Sequence, residues 1–179
     1  MRTSACVLLT LLLVPPLLAQ PGQAPTRIPD APFVPTPDIV VAGMLTLADV
    51  TATDVVYDLG SGDGKIVIAA ARLGARGVGI DIDPRRVAEA TANARAAGVS
   101  DRTTFVLGDI FDPAIKIGDA TVVALYLWEP LNIKLMPRLK RELRPGARVV
   151  SNSFTMGPTW PAERSQLVGL HYIYLWTIK

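Results

Sequence analysis

Between Tyr57 and Lys65 the chain reads Asp58-Leu-Gly-Ser-Gly-Asp-Gly64, glycines alternating with small polar residues behind an acid. Residues of these types at this spacing suit a ligand-holding turn. Gly60, Gly62 and Gly64 let the backbone bend sharply and approach a bound molecule where a Cβ would collide, and Ser61 adds a hydroxyl. The pattern is G-x-G-x-G, unlike the G-x-G-x-x-G of dinucleotide sites, and Asp58 stands two positions ahead of its first glycine. A carboxylate there repels an arriving pyrophosphate and attracts a cation. The turn therefore favours a nucleotide-like ligand that carries positive charge.

Two further acids fall into the same scheme. Asp81 closes the apolar run Val78-Gly-Ile80 about twenty residues beyond the glycine turn, where nucleotide-binding βαβ units place the acid that takes ribose hydroxyls. Ile82 flanks it. Asp109 follows a third run, Thr103-Thr-Phe-Val-Leu107, and is placed to accept an adenine amino group while apolar neighbours, Ile110 among them, sandwich the ring. Adenine, ribose and a cationic tail describe S-adenosylmethionine, whose ammonium and sulfonium suit Asp58. Asp83 reads differently, since Pro84 behind it marks a helix N-cap rather than a ligand.

The elements that must position these residues follow from periodicity. Helices are expected over about 38–47, 65–73, 84–97 and 131–143, with Asn132 as the N-cap of the last. Strands are expected to end at Asp58, Asp81, Leu107, Tyr126 and Ser153, with a closing hairpin over about 165–178. Such alternation implies a parallel sheet with right-handed crossovers, whose ligands bind outside the carboxyl ends of the strands. Asp58, Asp81, Asp109 and Tyr126 all lie at those ends.

Asp58 to Gly64, Gly79-Ile-Asp81 and Gly108-Asp109 resemble the first three signature motifs of class I S-adenosylmethionine-dependent methyltransferases, in order and spacing. Pro32-Phe-Val-Pro-Thr-Pro37, Leu125-Tyr-Leu-Trp-Glu-Pro-Leu-Asn132, and Leu143-Arg-Pro-Gly146 with Val149-Val-Ser151 extend the likeness over roughly residues 30–179. They resemble the small lysine methyltransferases of the ATP synthase c-subunit and adenine nucleotide translocase type, with their bacterial relatives. The resemblance implies an α/β fold, Rossmann-like and doubly wound, with a mostly parallel sheet and a C-terminal antiparallel hairpin. It also implies methyl transfer to a protein lysine without a metal. A lysine nucleophile must be neutral, which an apolar channel favours, so Tyr126 and Trp128 are candidates for its aromatic wall. Glu129 and Asn132 are candidates to orient the amine. A small-molecule methyltransferase, a non-catalytic S-adenosylmethionine-binding protein and a nicotinamide-dependent oxidoreductase are the alternatives.

Composition narrows the choice. The chain has 179 residues, half of them hydrophobic, and a formal net charge of +2, which fits one domain and does not call for nucleic acid. The substrate expected is a protein, compatible with a membrane-associated one, and a monomer is favoured. Cys6 is the only cysteine and His171 the only histidine, which argues against disulfides, thiolate catalysis and Cys/His metal sites. His171 lies in an alternating terminal run and is read as a strand residue facing solvent or a hydrogen bond. Lys134, Arg138 and Arg141 share a helical face, read as solvated. Met1-Arg2, the apolar stretch Ala5 to Leu18 and a cleavage point after Ala19 mark residues 1–19 as a signal peptide or membrane anchor. The protein is then exported or membrane-anchored, and cytoplasmic only if that segment does not function. Residues 20–37 read as a Pro-rich linker and 38–179 as the methyltransferase domain.

Overall fold

The computed structural model describes residues 28–179, so the expected signal segment and residues 20–27 of the linker lie outside the described residues. The chain alternates helix and strand in the order α1 (Asp38–Leu47), β1 (Val55–Leu59), α2 (Lys65–Arg72), β2 (Arg76–Asp81), α3 (Pro84–Ala96), β3 (Thr103–Leu107), β4 (Val122–Leu125), α4 (Glu129–Glu142), β5 (Arg148–Asn152), β6 (Arg164–Val168) and β7 (His171–Thr177). The strands form one sheet in the order β3-β2-β1-β4-β5-β7-β6. The first five pair in parallel, while β7 runs antiparallel between β5 and β6.

Strand parity divides the core between the two sheet faces. Leu59, Val123, Leu125 and Val149 point toward α4, where they meet Leu135 and Leu139. Val56, Val122, Ala124 and Val150 point the other way and are covered by Val40, Val41 and Met44 of α1. Because β1 and β4 are buried on both faces they read as continuous apolar runs, as central parallel strands must. Register then brings Asp58 opposite Gly79 and Asp81 opposite Leu107, at one edge of the sheet.

Local signals set the helix ends. The Asp83 side chain accepts the Arg85 N–H at 2.9 Å and Pro84 follows, so Asp83 is the cap of α3. Expectation fails at α4. That helix begins at Glu129, with Trp128 at the N-cap and Pro130 in its first turn, so Asn132 is inside the helix and does not cap it. Proline preset to helical φ moves the start forward.

The basic face of α4 also needs correction. Arg138 is buried: its guanidinium donates to the carbonyls of Ile110 and Ile115 and pairs with Glu142. The loop between β3 and β4 makes no ladder, and its carbonyls take donors from Arg138 instead. Lys134 lies 3.9 Å from the centroid of the Phe111 ring, and Arg141 stays at the surface. Among the described residues no helix is long and apolar enough to cross a membrane.

Candidate active site

A cavity of about 600 Å³ opens at the carboxyl ends of β1, β2, β3 and β4. The glycine turn forms its floor. Gly60, Gly62 and Gly64 have φ of +89°, +51° and +79°, the left-handed region that other residues avoid. The N–H groups of Gly60 and Ser61 donate to Ile80 O at 2.8 and 3.0 Å, which ties the turn to β2. The Asp81 carboxylate then takes the N–H groups of Gly62 (2.8 Å) and Asp83 (2.9 Å), one on each oxygen. A carboxylate has about four lone-pair positions, so each oxygen retains capacity for a ligand hydroxyl. Burial pushes the Asp81 carboxyl upward against those two donors.

Asp58 is more deeply enclosed, 3% exposed. Burial, then the charges of Asp81 and Asp63, push its carboxyl up to about 8. A cation in the cavity would reverse that shift. Asp109 takes the Phe111 N–H at 2.9 Å and lines the cavity beside Ile110 and Phe111, with Ile82 opposite the floor. Arg85 holds the Asp83 carboxyl below the ordinary range, as expected of a cap already paired.

The segment read as linker takes part in the site from Pro29 onward. Pro29 to Phe33, Val34 and Thr36 line the cavity, and Phe33 covers the turn so closely that a Cβ on Gly62 would lie 2.3 Å from its ring. Arg86 stacks on the other side of that ring, 4.0 Å from its centroid. Lys65 anchors the strap through Thr36 O (3.1 Å) and Asp38 (2.9 Å). Aperiodic composition concealed this role. The Phe33 within Pro32-Phe-Val-Pro was the usable signal, an aromatic between prolines that fix an extended path.

Residues 58–164 match the ANTKMT methyltransferase domain family. The chain is 41% identical to a protein-lysine N-methyltransferase of Saccharolobus islandicus over 84% of its own length and 96% of that protein's. The chain belongs to this methyltransferase family. It is 35% identical to the mouse adenine nucleotide translocase lysine N-methyltransferase, over 80% of the chain and 62% of the mouse protein. A crystal structure of an RNA methyltransferase from Salinibacter ruber, solved with S-adenosyl-L-homocysteine, superposes with a TM-score of 0.78 at 54% identity, over 81% of the chain and 94% of that structure. The methyltransferase is thus a class I, S-adenosylmethionine-dependent one. Its cavity suits that ligand: the carboxylates of Asp58, Asp81 and Asp109 line it, and the buried Ser61 Oγ there has no protein partner among the described residues.

The methyltransferase's acceptor side is less uniform than its cofactor side. Tyr126 lines the cavity, stacks on Phe154 with ring centroids 6.3 Å apart and meets His171 edge-on at 6.2 Å. Trp128, 49% exposed, does not line it, and neither do Glu129 and Asn132. Glu129 accepts a hydrogen bond from Thr155 Oγ1 at the surface. Asn132 is fully buried, and its Nδ2 donates to Ser151 Oγ (3.2 Å), Phe154 O (3.2 Å) and Thr155 O (3.3 Å). Phe154 joins Tyr126 through the parallel pairing of β5 with β4, and His171 through the antiparallel pairing of β7 with β5, long-range registers that no local pattern discloses.

Proposed function

We propose that this methyltransferase N-methylates a lysine side chain of a protein substrate. The observation that carries the reading is the aromatic cluster in which Tyr126, which lines the cofactor cavity, meets Phe154 and His171. A lysine must shed its charge before it can act as a nucleophile, and an apolar aromatic surface disfavours the ammonium form while offering π faces to it on arrival. The Saccharolobus islandicus relative, a protein-lysine N-methyltransferase, points the same way.

Each cofactor contact has a role on this reading. Asp58 meets the cationic methionine part, Gly60, Ser61, Gly62 and Gly64 give backbone and hydroxyl contacts, Asp81 takes the ribose hydroxyls, and Asp109 the adenine amino group between Ile82 and Ile110. When bound, S-adenosylmethionine supplies a methyl whose bonding pair stays on sulfur as the acceptor nitrogen bonds to carbon, without a metal. The chain's own residues then have to position and desolvate, which accounts for much of the rate in such displacements. Asn132 acts at one remove, by holding the carbonyls of Phe154 and Thr155. Trp128 and Glu129 meet the substrate at the rim. The apolar stretch Ala5 to Leu18 supports export or anchoring, and a membrane-associated substrate with it.

A second reading, methylation of RNA, draws on the likeness to the Salinibacter ruber RNA methyltransferase. The burial of Arg138 removes the middle cation from the expected basic face of α4, and a net charge of +2 is slight for a phosphate-binding surface. Incubating a cell lysate with the protein and methyl-labelled donor separates the two. The expected label is lost on protease digestion and survives nuclease; nuclease-sensitive label would overturn the lysine reading.

A further inference from the structure

His171 is the single histidine, and the cofactor chemistry makes no use of it. It opens β7, and because β7 runs antiparallel to β5, its ring returns to the carboxyl edge of the sheet beside Tyr126. Its Nδ1 lies 3.0 Å from Asn152 Oδ1 and 3.2 Å from Ser153 Oγ. The Ser153 hydroxyl donates to the same Asn152 Oδ1 at 2.9 Å. An amide oxygen only accepts, so with Asn152 Oδ1 turned toward the ring Nδ1 carries the proton, and the neutral imidazole keeps a lone pair on Nε2. Nε2 has no protein partner among the described residues, and the ring is half-buried rather than sealed in the core.

The groups that fix this tautomer are themselves held at a cost. Asn152 is fully buried, and its Nδ2 has no acceptor among the described residues. Ser153 has φ of +64°, a left-handed conformation unusual for a residue with a Cβ, pinned by its N–H donating to Tyr172 O at 2.7 Å. Such strain persists where the surroundings over-determine it, commonly at functional sites.

We propose that His171 holds the acceptor amine, its Nε2 accepting a hydrogen bond from the amine N–H beside Tyr126. The inference rests on the protein-lysine reading above. A neutral primary amine has two N–H donors and one lone pair. With one N–H given to Nε2, the lone pair is free to form the new C–N bond, the methyl–sulfur pair stays on sulfur, and the surplus proton of the methylated ammonium passes to solvent.

Because the chain has one histidine, its ring nitrogens can be read directly by 15N NMR of the full-length protein with S-adenosylhomocysteine bound. The Nδ1–H tautomer is expected, with the Nε2 resonance moving when a lysine peptide that the enzyme methylates is added. An Nε2–H tautomer, or an Nε2 signal that ignores the peptide, would overturn the assignment without any variant having to fold. His171→Gln should lower kcat/KM for that peptide by about tenfold or more, as expected for a lost orienting hydrogen bond, with S-adenosylhomocysteine affinity within twofold of wild type. Unchanged kcat/KM in a folded variant overturns the role of His171 alone. A wild-type enzyme that labels no lysine overturns the substrate reading and this role together.

Discussion

Asp58 couples cofactor binding to protons. The protein's own groups hold its carboxyl up to about 8, so at neutral pH the carboxyl is mostly protonated, and a bound ammonium or sulfonium favours its ionised form. Calorimetry at pH 7 in buffers of different ionisation enthalpy should therefore detect release of close to one proton per S-adenosylmethionine bound, and Asp58→Asn should abolish it. The same shift sets a stability trend. The folded value lies above the unfolded one near 3.9, so between about pH 4 and 8 the folded state keeps a proton that the unfolded chain has lost. Stability of the ligand-free protein contributed by this group falls as pH rises through that window and levels off above it, with a flatter urea-denaturation profile in Asp58→Asn. Gly62 makes a second residue-scale test. At φ +51°, with Phe33 2.3 Å from its virtual Cβ, Gly62→Val must distort the turn and expel the strap. Cofactor affinity should fall by tenfold or more, whereas unchanged affinity would show that the turn does not shape the cavity.

Two elements outside the signature motifs complete the site, and both carry predictions. The strap from Pro29 to Thr36 adds one aromatic lid, Phe33, clasped between the glycine turn and Arg86. Phe33→Ala removes that cover and a surface cation–π contact, and should weaken S-adenosylhomocysteine binding by about 1 kcal/mol, measured by calorimetry. Arg138 fastens the loop that carries Asp109 and Ile110 to α4. Arg138→Ala leaves two carbonyls without their donor and Glu142 with Arg141 alone, so chemical denaturation should register a loss of roughly 2–4 kcal/mol. These elements also mark the limits of sequence reading. The alternation of strands and helices was legible because each central strand is buried on both faces and each helix ends on a local signal such as Gly74 or Asp83-Pro84. The start of α4 was misplaced because Pro130 outranks the capping tendency of Asn132, and Arg138 was misread because surface spacing gives no sign of carbonyls brought in from a distant loop.

At the scale of the molecule, the sheet gathers three carboxylates from separate strands at one edge and sets an aromatic wall beside them. The carboxylate half was legible because Asp58, Asp81 and Asp109 each sit at a strand end whose position periodicity reveals. The acceptor half was only partly so. Tyr126 follows β4 directly, whereas Phe154 reaches it through the pairing of β5 with β4 and His171 through the antiparallel return of β7, and Trp128, Glu129 and Asn132 lie off the cavity. Both halves serve one claim, that a methyl group passes from a cofactor in the cavity to a lysine at the aromatic wall. The most direct measurement is amino-acid analysis of the product: purified enzyme, methyl-labelled S-adenosylmethionine and a protein fraction, followed by acid hydrolysis and chromatography of the label. The account predicts radioactivity in N-methylated lysine, formed in step with S-adenosylhomocysteine; label recovered in a nucleoside, in arginine or only in small metabolites would contradict it.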